Sequence, residues 1–151
     1  MKYTTEITVD LPRSEFIKKF DNPENMKHWQ KGLASYNFLS GPPGKEGSKM
    51  ELHYLMGKRK IVMVETIIKN NLPYEFHATY DAKGAHNIQK NYFKDLEGEK
   101  TSWISESEFQ FSGFFMKLMG LIMPGAFKKQ SCKYLEDFKA FAEQGSSVNI
   151  S

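Results

Sequence analysis

The chain has 151 residues, 40% apolar and 26% charged, close to the globular average, which excludes a disordered polymer and a bundle of membrane spans. Its net charge of +3, from 21 basic against 18 acidic side chains, is too small and too dispersed for the basic stripe that nucleic-acid binding needs. Cys132 is the single cysteine, so no intrachain disulfide forms, in keeping with a reducing cytosol.

Residues 2–10 alternate cleanly, with Tyr3, Thr5, Ile7 and Val9 on one face and charged or polar residues on the other, which predicts a half-buried strand rather than a signal peptide. Leu11-Pro12 ends it, and Pro12 suits a first helical turn. A short helix with Phe16, Ile17 and Phe20 on one side follows. Asn22-Pro23 reads as an N-cap with Pro at the first helical position, opening a second short helix through Trp29 that Gly32 stops.

Residues 33–40 predict a strand, and the Gly- and Pro-rich residues 41–47 a turn. Met50, Leu52, Tyr54 and Met56 then alternate with Glu51, His53 and Leu55. Gly57-Lys58 fits a two-residue hairpin loop, which pairs Tyr54 with Ile61, Leu52 with Met63 and Met50 with Glu65. The Lys58-Arg59-Lys60 cluster at this turn reads as a solvated loop.

A second hairpin at Lys83-Gly84 sets Tyr80 opposite Asn87, Ala78 opposite Gln89 and Phe76 opposite Asn91. A loop at Glu97-Gly98-Glu99 sets Phe93 opposite Trp103, Asn91 opposite Ser105 and Gln89 opposite Ser107. Two independent turns give one parity, and a slip of one residue would destroy it. The expected concave wall has aromatics at its ends (Phe76, Tyr80, Phe93, Trp103, Phe109, Phe111) and small or amide side chains in its middle (Ala78, Gln89, Asn91, Ser105, Ser107). Buried amides without partners cost roughly 1–3 kcal/mol each, so water or a ligand's polar group is expected there.

Residues 114–143 switch to helical spacing. Phe127, Ser131, Tyr134, Phe138 and Phe141 form one stripe facing the sheet. Pro124 removes a backbone bond and predicts a break, leaving residues 114–123 as a separate segment. Its Phe115, Leu118, Met119, Ile122 and Met123 are expected at the mouth of a cavity. That segment is the most apolar of the chain, yet it is shorter than the ~20 residues a bilayer requires.

The order strand, two short helices, six strands and a long helix resembles the START-like helix-grip (SRPBCC) superfamily, which includes lipid-transfer, birch-pollen-allergen-like and polyketide cyclase/dehydrase-like proteins. The likeness rests on Ile7-Thr8-Val9-Asp10-Leu11-Pro12, Asp21-Asn22-Pro23-Glu24-Asn25 leading to Trp29, and Leu39-Ser40-Gly41. It continues through Val64-Glu65-Thr66, Leu72-Pro73, Lys100-Thr101-Ser102-Trp103 and the closing Phe138-Lys139-Ala140-Phe141-Ala142-Glu143. It implies an α+β fold in which a curved antiparallel sheet of about seven strands wraps a C-terminal helix. One domain would span residues 1–144, with a flexible tail over 145–151.

The first functional expectation is intracellular, cytoplasmic binding of a small hydrophobic molecule such as a lipid, polyketide or isoprenoid-like compound. The expected ligand-binding residues are Tyr54, Met63, Phe76, Ala78, Tyr80, Gln89, Asn91, Phe93, Trp103, Ser105, Ser107, Phe109, Met119, Met123 and Phe127. The second is a cyclase- or dehydratase-type enzyme without metal, in which Glu65 is the acid/base group, since desolvation among apolar neighbours raises a carboxyl pKa. The third is a co-chaperone or regulatory module working through protein contacts.

His28, His53, His77 and His86 lack metal-ligand spacing, and neither a metal nor a cofactor is expected. Nucleic acid and a transmembrane segment are not expected either. Transient contact with a membrane surface is compatible with the composition, and the residues leave the oligomeric state open.

Overall fold

A computed structural model describes residues 1–149, apart from the side chain of Phe115. In chain order, β1 (Lys2–Val9) leads to α1 (Arg13–Phe20), a 3-10 turn (Pro23–Asn25) and α2 (Met26–Trp29). Six strands follow: β2 (Leu33–Ser40), β3 (Lys49–Met56), β4 (Arg59–Asn71), β5 (Glu75–Ala82), β6 (Ala85–Leu96) and β7 (Lys100–Phe111). The chain closes with α3 (Phe114–Ile122) and α4 (Pro124–Gln144). All seven strands form one antiparallel sheet in the order β1-β7-β6-β5-β4-β3-β2.

Local chemistry explains the punctuation. The Asn22 side chain accepts from the Glu24 N–H at 3.0 Å, capping the 3-10 turn ahead of α2. The Gly57-Lys58 loop pairs Met56 with Arg59, and the Lys83-Gly84 loop pairs Ala82 with Ala85. The expected pairs Met50–Glu65, Ala78–Gln89 and Asn91–Ser105 are all present. Pro124 starts α4 after a break at Met123, as a residue without an N–H requires.

Inward side chains of the sheet meet α1, α2 and α4 in a core that is closed at one end. Phe16 and Phe138 lie 4.8 Å apart between ring centroids, with Phe93, Trp29 and Trp103 around them. A second cluster of Met26, Leu33, Met50, Leu52 and Tyr54 lies under β2 and β3, and Tyr80 packs against both clusters. At the opposite end Phe109, Phe111 and Phe127 contact one another. There the Tyr3 hydroxyl donates to the Phe127 carbonyl at 3.2 Å and lies 2.7 Å from Ser131 Oγ, tying the start of α4 to β1.

α3 is held against this open end by two close approaches. A Cβ on Gly84 would lie 2.6 Å from Met116 Cγ, and one on Gly120 would lie 2.7 Å from the Phe111 ring. Leu118, Ile122 and Met123, expected at a cavity mouth, are exposed to solvent, while Met116 and Gly120 are the residues in close approach to the sheet. Phe115, expected beside them, has a side chain outside the described set. After α4, the Val148 N–H bonds the His28 carbonyl and the Asn149 amide bonds the Lys27 carbonyl. Residues 150 and 151 of the expected tail lie outside the described residues. No described helix is long and apolar enough to cross a membrane.

Candidate functional site

Register fixes what faces inward. With β3, β4 and β5 paired as Met50–Glu65 and Glu65–Tyr80, Glu65 shares the concave face with Ile61, Met63 and Ile67. Its Oε2 accepts a hydrogen bond from the Tyr80 hydroxyl at 2.9 Å. Burial pushes the Glu65 carboxyl above its ordinary pKa, and the Tyr80 bond partly opposes that by stabilising the anion. Tyr80 is raised well above an ordinary phenol, first by burial and then by the Glu65 charge.

Two further phenols complete the group. Tyr54 donates to Gln30 Oε1 at 2.5 Å. Its pKa is raised well above normal by burial, then by Tyr134 and Glu65. Tyr134 reaches in from α4, and burial raises its pKa too. Tyr80 and Tyr134 both pack against the first core cluster, and Tyr80 also packs against the cluster that holds Tyr54.

Apart from Arg59 and Asp95 at the exposed ends of their strands, Glu65 is the only charged side chain at an inward position of β3–β7 among the described residues. Glu65 and Tyr80 are nonetheless only half-buried, as are Met63, Gln89, Phe109 and Phe127. Solvent reaches inward-facing side chains at this end of the grip, while the Phe16–Phe138 end is closed.

The amide wall behaves differently from expectation. Gln89 donates to Asn87 Oδ1 at 2.8 Å, and Asn87 donates to Ser107 Oγ at 2.8 Å and to the Glu108 carbonyl at 3.0 Å. Asn91 donates to the Phe76 carbonyl and accepts from Trp103 Nε1 at 2.9 Å. These amides satisfy one another, so their burial does not itself demand a ligand. On that wall the unpartnered buried atom among the described residues is Thr5 Oγ1, opposite Ser105.

The expected ligand-binding residues therefore fall into two groups. Phe76, Ala78, Asn91, Phe93 and Trp103 lie at the closed end, with Ser105 and Ser107 buried beside the amide network. Met63, Tyr80, Gln89, Phe109 and Phe127 gather at the accessible end with Tyr54 and Met119, and Met123 lies outside on the surface. Sequence reasoning omitted Tyr134, Asn87, Gln30 and Thr5 from this set. The helical stripe and strand parity carried a signal for Tyr134, Asn87 and Thr5. Gln30 carried none.

His53, His77 and His86 sit on the outward face beside Glu51, Glu75 and Asp81. Two open surface depressions, of 660 and 240 Å³, lie around Asp21, Pro43–Glu46 and Asn70, and around Pro23, Lys27 and Tyr36. Neither is lined by Glu65 or Tyr80.

No protein-family model and no curated protein matches the sequence. Solved structures match over nearly the whole chain. The Zhui aromatase/cyclase from Streptomyces sp. R1128 superposes with a TM-score of 0.79 at 10% identity, covering 94% of this chain and 93% of the other. Ara h 8.0201 gives 0.73 at 12%, and the Thermus thermophilus protein TTHA0849 gives 0.76 at 11%; for each, 94% of this chain and 97% of the other are covered. The fold is the START-like helix grip. In this helix grip the gripped element is α4, and the bonded Glu65–Tyr80 pair lies on the inward face of the sheet.

Proposed function

We propose that the protein binds a small, largely apolar molecule between the sheet and α4, at the end bounded by Met63, Glu65, Tyr80, Gln89, Phe109 and Phe127. The observation that carries this reading is Glu65: an inward-facing carboxyl, desolvated enough to raise its pKa, bonded to a phenol and without a facing cation among the described residues, on a residue that is only half-buried. The aromatic and Met side chains would supply burial energy at roughly 25 cal/mol per Å² of apolar area. Glu65 accepts hydrogen bonds when ionised, so it selects a ligand whose polar end donates them, a hydroxyl or an amine. A carboxylate ligand would meet like charge in a poorly solvated site. The binding unit would be residues 1–144, in a reducing compartment such as the cytosol, which suits the free Cys132.

Mass spectrometry of the protein purified from its source tests this. An apolar molecule bearing a hydroxyl or amine is expected to co-purify and to displace a fluorescent apolar probe. Absence of any such molecule, together with no binding of the probe, would contradict it.

A second reading draws on the same pair. A carboxyl whose pKa is raised by burial, bonded to a phenol, is equipped to move a proton on an enclosed substrate, as a cyclase- or dehydratase-type reaction requires. On this reading Glu65→Gln removes turnover and leaves binding intact, whereas equal loss of both favours binding alone.

A further inference from the structure

We propose that α3, with the hairpin rim beside it, docks on an anionic lipid surface. An apolar helical stripe ordinarily faces the core. In α3 it faces outward: Phe114 is 83% exposed, Leu118 38%, Leu121 80% and Ile122 65%, and Met123 just beyond is 44% exposed. Those positions follow the i, i+4, i+7, i+8 spacing of one helix face, interrupted only by Lys117. Exposed apolar side chains scattered singly are ordinary, but four on one helix face side by side mark a contact surface.

The surrounding charge identifies what it contacts. Antiparallel topology brings the Gly57-Lys58 turn, the Lys83-Gly84 turn and the end of β7 to one rim of the sheet, and the Ser112 N–H bonds the Gly84 carbonyl there. Lys83, Lys117, Lys128 and Lys129 are exposed around α3, and the Lys58-Arg59-Lys60 tip, next to exposed Leu55 and Met56, stands on the same rim. Among the described residues none of these cations has a carboxylate within 4 Å, whereas Asp81 and Glu108 at this rim are engaged by His86 and Lys2.

An apolar stripe flanked by unpaired lysines is complementary to a bilayer interface with anionic headgroups. A second copy of the chain fits poorly, because a two-fold contact sets each patch against itself and would oppose lysines with lysines. Nine residues are too few to span a membrane, so α3 lies in the plane of the interface. The stripe and the lysines stand independently of any ligand inside the grip.

Co-sedimentation of the full chain with vesicles tests the assignment. Partition onto vesicles containing phosphatidylserine is expected, with little onto phosphatidylcholine alone, and high salt should weaken it. Leu121→Glu with Ile122→Glu, both at exposed positions, should lower partition by roughly tenfold or more while thermal unfolding is unchanged. Lys128→Glu with Lys129→Glu should also lower it, since each interfacial cation contributes roughly fivefold. The proposal is overturned if the wild type ignores phosphatidylserine vesicles or if the Leu121/Ile122 variant binds undiminished. It is also overturned if sedimentation velocity shows a dimer that this variant abolishes, which would reassign the face to a second copy.

Discussion

At Glu65 the folded state holds a carboxyl that burial makes reluctant to ionise. The sign follows from linkage: a carboxyl pKa raised by folding makes the native state bind its proton more tightly than the unfolded chain does. Charge at Glu65 therefore costs stability at neutral pH, and that cost fades as pH falls through its folded pKa. Glu65→Gln, which keeps an acceptor for Tyr80, is expected to raise unfolding free energy at neutral pH and to change nothing below the ordinary carboxylate range of about 4.3. Urea unfolding at both pH values checks this; equal stability at neutral pH contradicts it.

Asn91 tests the amide network. Asn91→Ala leaves Trp103 Nε1 buried without its acceptor and is expected to cost about 1–3 kcal/mol, read as a lower denaturant midpoint. The inward placement of Glu65 was legible in the sequence because the Gly57-Lys58 turn fixes β3 against β4. Which residues of the core Tyr134 packs against was not, since strand and helix meet through tertiary packing that no local spacing encodes.

Among the elements, strand register is legible in the sequence where two-residue turns set it, as at Lys83-Gly84, because side-chain parity then leaves one solution. The break before Pro124 was equally legible. The orientation of α3 was not: periodicity reveals an apolar stripe, but whether sheet or surroundings cover it depends on how Gly84 and Gly120 admit Met116 and Phe111. Gly120→Ala places a methyl against the Phe111 ring and should cost roughly 1–3 kcal/mol by overpacking, or shift α3 off the sheet. Thermal unfolding measures the first outcome and hydrogen exchange over residues 114–122 the second.

Over the whole molecule, stability and accessibility are divided between two ends of one grip. Phe138 is fully buried among Phe16, Trp29 and Trp103. Phe138→Ala is expected to cost about 3–5 kcal/mol in unfolding free energy, with the Glu65 end as the less affected part. The other end keeps a desolvated carboxyl and its phenol partner on residues that are only half-buried, beside Met63, Gln89, Phe109 and Phe127, and on that contrast the functional reading rests.

Calorimetric titration with a tail-matched amine, alcohol and carboxylate, of wild type and Glu65→Gln, tests that reading most directly. The amine and alcohol should bind the wild type at least about tenfold tighter than the carboxylate, the difference expected of a hydrogen bond to a charged group, and Glu65→Gln should narrow the gap. A carboxylate that binds the wild type as tightly as the alcohol, or a series in which no member binds, would contradict it.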